Sequence, residues 1–195
     1  MLDSGNDPFG WTQDPSVVMV CTTFVEELPP TEIFEILHAE QLDSRMSSTQ
    51  LAMAVGNDRK GIRVADMGAW ALTIELESLV AVRDEVLARL SASRRRVVQV
   101  YRTGSGMESF GYWRDGELQC RFEPTNPARR TGCDPDVLVS EMRASGIEPA
   151  SAEMLRGYEM YTLAAEVTGV IADTGLVLEA ELESGLVARR RRRVS

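Results

Sequence analysis

Between residues 70 and 77, Trp70, Leu72, Ile74 and Leu76 alternate with Ala71, Thr73, Glu75 and Glu77. This is the period of two of a strand with one buried face, so Glu75 and Glu77 are expected to share the wetter face. Val82, Val86, Leu87 and Leu90 then fall at helical spacing, with residues 91–93 as the exit. Residues 97–102 predict a second strand in which Val98 and Val100 point one way and Val97 and Tyr101 the other. Both faces of that strand should therefore be covered, as for a central strand. Asp115 and Gly116 can take the positive φ values of a type I′ turn between strand-like residues 107–114 and 117–123. A two-residue loop sets Arg114 opposite Glu117. The register then places Gly111, Trp113, Leu118, Cys120 and Phe122 on a core face, and Phe110, Tyr112, Arg114, Gln119 and Arg121 on the other. The whole stretch from 64 to 123 reads as the sheet of one small domain.

The flanks are less regular. Residues 1–15 read as a loose arm with Phe9 and Trp11 as its large apolar anchors, and 17–26 as the first strand. Pro29 and Pro30 end that strand, and Thr31 is placed to cap a short helix carrying Ile33, Phe34, Ile36 and Leu37, with the only histidine, His38, near its end. Gly56, Asn57, Asp58, Lys60 and Gly61 read as turn, preceded by a short strand or helical turn over 51–55. Beyond the hairpin, 124–132 is a loop with Arg129 and Arg130, and Asp134, Pro135 and Asp136 form a cap, proline and acidic start for a helix ending near Gly146. Met154, Leu155, Tyr158, Tyr161, Leu163, Ala165 and Val167 predict a longer helix stopping at Gly169, after which Asp173 or Thr174 caps a last helix through Leu178 and Leu182. The fold class that follows is α+β: an antiparallel-rich sheet of about five strands with flanking helices and a helical C-terminal segment. A single domain is expected over 16–188, helical from about 134, with a disordered arginine-rich tail at 189–195.

Hydrophobic content of 44% and charged content of 26% are globular values. No apolar run approaches the roughly 20 residues of a spanning helix, and the acidic start lacks the basic and apolar parts of a signal peptide. Cys21, Cys120 and Cys133 are an odd number without close spacing, which fits free thiols in a reducing cytoplasm rather than disulfides or a zinc site. Net charge is −9, and five of the 21 basic residues are the arginines at 189–193, so the remaining 16 basic and 30 acidic residues leave a body of −14. Such a body repels nucleic acid, which leaves the tail as the only, weak, nucleic-acid contact expected.

Taken in order, several segments resemble one known family. They are Cys21-Thr22-Thr23-Phe24-Val25 leading into 28–34, Gly68-Ala69-Trp70 through Glu75, Leu90-Ser91-Ala92 into 97–102, and the hairpin at 110–122. Gly132-Cys133-Asp134-Pro135-Asp136-Val137-Leu138 and 163–170, with Thr168-Gly169-Val170, complete the set. The chain is similar, from about Trp11 to Leu182, to an uncharacterised family of actinobacterial proteins, the domain-of-unknown-function family 6461. Two features depart from the family pattern: Glu75 runs into Leu76-Glu77-Ser78-Leu79 where a glycine-containing turn is usual, and the five-arginine tail is particular to this chain. The resemblance implies a fold and a bacterial host, and no catalytic residues.

Candidate chemistry is sparse. Glu75 and Glu77 form a weak carboxylate-pair candidate for acid/base work or a hard cation, against a solvated strand face. Residues 103–106 (Thr-Gly-Ser-Gly) lie between strands rather than before a helix, so a connecting loop outweighs a phosphate cradle. Arg94, Arg95 and Arg96, with Arg102 beyond them and with Arg114 and Arg121, could form an anion-binding edge, against arginines that neutralise nearby carboxylates or shield a sheet edge. Phe110, Tyr112, Arg114, Gln119 and Arg121 suit a protein contact, against a helix packed over that face. The favoured expectation is a non-enzymatic cytoplasmic domain that binds a protein partner, of inhibitor or immunity type, with weak homo-oligomerisation and neither cofactor nor metal. A small-molecule or nucleotide-binding enzyme using the arginine-rich edge, and a nucleic-acid-associated protein using the tail, are the alternatives.

Overall fold

In the structure, a computed structural model, residues 7–56, 58–151 and 153–188 are described; the expected tail at 189–195 and the first six residues of the arm lie outside them. The strands are β1 (Met19–Glu26), β2 (Ala39–Gln41), β3 (Arg59–Asp66), β4 (Trp70–Leu76), β5 (Arg96–Thr103), β6 (Glu108–Arg114), β7 (Glu117–Phe122) and β8 (Glu183–Ala188). The helices are α1 (Pro30–Leu37), α2 (Ser48–Ala54), α3 (Asp84–Leu90), α4 (Val139–Ala144) and α5 (Gly157–Thr168), with a π-helical turn at Gly175–Glu179. All eight strands form one sheet, in the order β2-β8-β3-β4-β1-β5-β6-β7, and every neighbouring pair is antiparallel.

The expected sheet of about five strands is therefore too small, by β2, β3 and β8. The turn reading across Lys60 and Gly61 fails because both lie in β3, while 51–55 falls largely in α2 and its exit. β8 replaces the end of the predicted last helix. Asp173 caps as expected, its carboxylate accepting the Leu176 amide at 2.8 Å, but only the short π-helical turn follows. The chain then straightens to fill the gap between β2 and β3. The helix expected from Asp134 starts instead at Val139. The amides of Cys133 and Asp134 donate to Leu118 and Gln119 of β7, both at 3.0 Å, so the chain must turn away from the sheet edge before it can coil. α1 starts at Pro30 with Pro29 in the cap position, so Thr31 is already inside it.

Side chains alternate between two apolar layers, one on each face of the sheet. On the first face Phe24, Leu72, Ile74, Val98, Val100, Phe110 and Phe122 pack with Met142, Met160 and Tyr161. Phe9 and Trp11 dock there too: the Trp11 indole N–H donates to Ala172 C=O at 2.8 Å, and its ring meets Tyr161 edge-on with centroids 4.8 Å apart. On the second face Cys21, Val25, Ala71 and Val97 pack with Ile33, Phe34, Val86 and Leu87 of α1 and α3. Burial on both faces of β1 and β5 follows from this sandwiching, and it agrees with the expectation for residues 97–102.

The hairpin takes the expected turn, with Asp115 at φ 52° and Gly116 at φ 82°, and Arg114 opposite Glu117. One residue further, Trp113 pairs with Leu118 but Tyr112 pairs with Cys120, a β-bulge. A bulge flips every side chain beyond it. Phe110, Tyr112, Cys120 and Phe122 consequently share the first face, and Gly111, Trp113, Leu118 and Arg121 the second, which corrects the predicted division. Gly116→Val is expected to cost about 1–2 kcal/mol through the positive φ and to lower the melting midpoint by roughly 2–8 °C. An unchanged midpoint in a calorimetric scan would count against the turn's role.

Candidate functional site

Of the residues singled out from sequence, the structure brings few together. Glu75 and Glu77 do not form a pair. Glu75 is fully buried on the second face, while Glu77 lies just past β4 at φ 55°, exposed. The face read as wet is covered by α1 and α3. Glu75 accepts from the Ser78 hydroxyl at 2.7 Å and from the amides of Val80 and Ala81 at 2.7 and 2.9 Å. Burial holds its carboxyl above the usual range against these donors. Its neighbour Cys21 is likewise pushed well above the usual thiol range, first by burial and then by Glu75.

The aromatic and cationic residues divide between locations. Phe110 and Tyr112 are buried in the first-face core. Arg96 and Arg114 pair across strands on that face, where Arg96 binds Glu26 and lies 5.1 Å from the Trp70 ring. Arg121 is on the opposite face, bonded to Asp84 at 2.6 Å and 5.7 Å from the Trp113 ring. The Arg95 side chain donates to Leu90 C=O at 3.0 Å, and Arg94 sits at φ 66° with its amide on Asp115. Gln119 is the bulge residue, its amide 3.3 Å from Glu117 C=O. His38 closes α1 in the left-handed region, exposed, and residues 103–106 form a tight turn closed by Gly106 N–H to Thr103 C=O at 3.0 Å.

The site that does converge was not legible beforehand. Between α2, the π-helical turn, β3, β4 and residues 16–19 lies a cleft of about 710 Å³, within the size range of small-molecule sites. α2 reaches it through a Ser47/Gln50 capping box. It packs so closely on β3 that a Cβ at Gly61 would stand 2.7 Å from the Leu51 side chain. Ser48 fastens α2 to the π-helical turn by a hydroxyl bond of 2.5 Å to Leu178 C=O. Val17, Leu51, Ile74 and Leu178 supply the apolar part of the walls, and the polar groups are Arg59, Lys60 and Arg63 of β3 together with Ser16, Ser48, Thr49, Glu77 and Glu179. Arg59 is paired with exposed Glu40 at 2.7 Å, and Lys60 donates to the Glu77 carbonyl at 2.6 Å.

Arg63 differs from both. It is 1% exposed, and its guanidinium donates to the carbonyls of Val177 and Ala180. No carboxylate among the described residues forms an ion pair with it. Burial brings its pKa down to about 10, so it remains a cation at neutral pH. Carbonyls at the C-terminal end of the π-helical turn offset part of the desolvation cost, but they carry only partial charge. From sequence, Arg63 between Ile62 and Val64 reads as an ordinary solvent-facing strand position, and no local signal marks it. Among the described residues, no group of three or more His, Cys, Asp and Glu could hold a metal ion.

The fold is thus an α+β domain with one antiparallel eight-stranded sheet covered on both faces and, at one end, a cleft of mixed polar and apolar lining in which Arg59, Lys60 and Arg63 face Glu77 and Glu179. Among the described residues no helix is long and apolar enough to cross a membrane. The chain belongs to the family of unknown function DUF6461, whose pattern matches residues 6–192. No curated protein and no solved structure matches it.

Proposed function

We propose that this domain binds a small amphipathic anion in the cleft beneath α2, its apolar part against Val17, Leu51, Ile74 and Leu178 and its anionic group toward Arg63. The observation that carries the reading is a buried guanidinium that lines the cleft and has no carboxylate counter-charge. A buried cation held only by carbonyls gains most from a ligand that supplies the missing charge, and the apolar wall of Val17, Leu51, Ile74 and Leu178 gives such a ligand's apolar part a place beside it. The protein-binding role suggested by the hairpin has less support. Phe110 and Tyr112, the rings that would anchor a partner, lie under α4 and α5, and Arg121 is on the other face.

Calorimetric titration with octanoate and octyl phosphate, below their micellar concentrations, tests the proposal. Wild type is expected to bind at least one of them saturably. Ala52→Trp, which fills the cleft from the exposed side of α2 without touching Arg63, should weaken binding by about tenfold or more with little change in melting midpoint. Equal binding by Ala52→Trp, or none by wild type, would remove the reading.

A further inference from the structure

The second face carries another opening, built from different chemistry. Where α1 and α3 stop covering the sheet, β5, β6 and β7 border the loop 123–131 around a cleft of about 550 Å³. Its floor is polar although it lies inside the sheet: Gln99 is 2% exposed and Ser109 4%, where a strand beneath helices normally carries apolar side chains. Gln99 is held in place by its amide, which donates to Ala81 C=O at 2.5 Å, and the Ser109 hydroxyl lies 3.3 Å from Phe122 C=O.

Two charges of opposite sign line this cleft and stay apart. Arg129 and Glu123, both exposed at its rim, each lack an ion pair among the described residues, while Arg121 is already neutralised by Asp84. Between them one group is unmatched: the amide oxygen of Asn126 is buried without a hydrogen-bond partner among the described residues. An orphaned acceptor costs the full desolvation of that group unless a donor reaches it. One free cation, one free carboxylate and one spare acceptor on the lining of one polar cleft match a molecule with a carboxylate at one point and an ammonium at another.

We infer that this cleft is a binding site for a free zwitterionic amino acid with a polar side chain. Its carboxylate meets Arg129, its ammonium meets Glu123 and the Asn126 oxygen, and Gln99 and Ser109 lie beneath the side chain. A phosphate monoester fits less well, because Glu123 would repel it and the Asn126 oxygen would find no donor on a fully ionised phosphate. The inference does not depend on the cleft beneath α2.

The test is titration of the full chain with L-glutamine and L-serine, each compared with N-acetyl-L-glutamine, which lacks the ammonium, and L-glutaminamide, which lacks the carboxylate. At least one amino acid is expected to bind saturably, and each blocked derivative about tenfold or more weaker, since hydrogen bonds to charged groups are the strong ones. Arg129→Ala sits on an exposed loop. It should weaken amino-acid binding by a similar factor and abolish the preference over L-glutaminamide, with Arg143→Ala on α4 as the unaffected control. Ala52→Trp should bind as wild type does. The inference is overturned by absence of saturable binding, by blocked derivatives that bind as well as the parent, by Arg129→Ala behaving as wild type, or by loss of binding in Ala52→Trp.

Discussion

Glu75→Ala is expected to lower the melting midpoint by roughly 6–20 °C, corresponding to about 3–5 kcal/mol for a chain of this size. The carboxylate is the acceptor for the Ser78 hydroxyl and for the Val80 and Ala81 amides, which lie in the loop that carries the chain from β4 into α3. Ser78 can turn to another partner, but the two amides cannot, and each buried donor left unpaired costs about 1–3 kcal/mol. Glu75→Gln should fall in between, because one amide oxygen replaces two carboxylate oxygens and the Ala81 N–H then faces an –NH₂ group. Glu77→Gln, at an exposed position, should melt with wild type.

The same residue sets a pH signature. Burial raises the Glu75 carboxyl above its usual 4.5, so the native state holds this proton more tightly than the unfolded chain does. The stabilisation is fully present below pH 4.5 and is lost as pH rises through the raised native value. Relative to Glu75→Gln, wild type should therefore lose stability as pH climbs through that window and level off above it. Calorimetry on the variants across that pH range checks both expectations. A Glu75→Ala midpoint within about 2 °C of wild type would show that the loop finds other partners.

Gly132→Ala is expected to detach the clamp on the outer edge of β7. Gly132 sits at φ 129°, and a Cβ there would lie 2.1 Å from the Gln119 carbonyl oxygen and 2.5 Å from its carbon. Those atoms are backbone, so no rotamer change relieves the clash. Around this glycine, Arg121 and Thr131 exchange amide bonds of 2.8 and 2.9 Å, and Cys133 and Asp134 donate to Leu118 and Gln119. The chain can accommodate a methyl group only by lifting this segment away, which forfeits most of these bonds and opens the edge strand. A loss of about 3 kcal/mol or more follows. Hydrogen exchange at Arg121, Thr131, Cys133 and Asp134 should then quicken by roughly a hundredfold, with β1 and β5 still protected. Unchanged exchange at these four amides would mean that the clamp is dispensable.

Strands β4, β5 and the β6–β7 hairpin were legible because their signals are local: alternation over seven residues in one case, a two-residue turn with positive φ in another. The helix around Val86 and the stop at Gly169, which takes φ 72°, are local for the same reason. Strand β8 was not legible. Its Gly185 packs where a Cβ would stand 2.8 Å from the Phe34 ring, and its extended form depends on the vacant hydrogen-bonding edges of β2 and β3, which belong to chain more than a hundred residues earlier. The bulge at Tyr112 and Trp113 was hidden for a related reason: polar and apolar residues still alternate along 117–122, but the extra residue Gln119 sends Leu118 and Cys120 to opposite faces, and only the pairing with β6 reveals it.

Polar residues inside strands mark the division most clearly. By itself the chain determined that β4 and β5 extend, that α3 coils and where the hairpin turns, because those choices depend on side-chain period and backbone φ within a few residues. Whether Glu75, Arg63 and Gln99 meet water or protein was decided only by tertiary structure. Alternation reports that a residue faces away from one apolar layer, but whether a second layer, built here by α1 and α3 on one face and α2 and the π-helical turn at the end of the other, closes over it depends on contacts between distant parts of the chain.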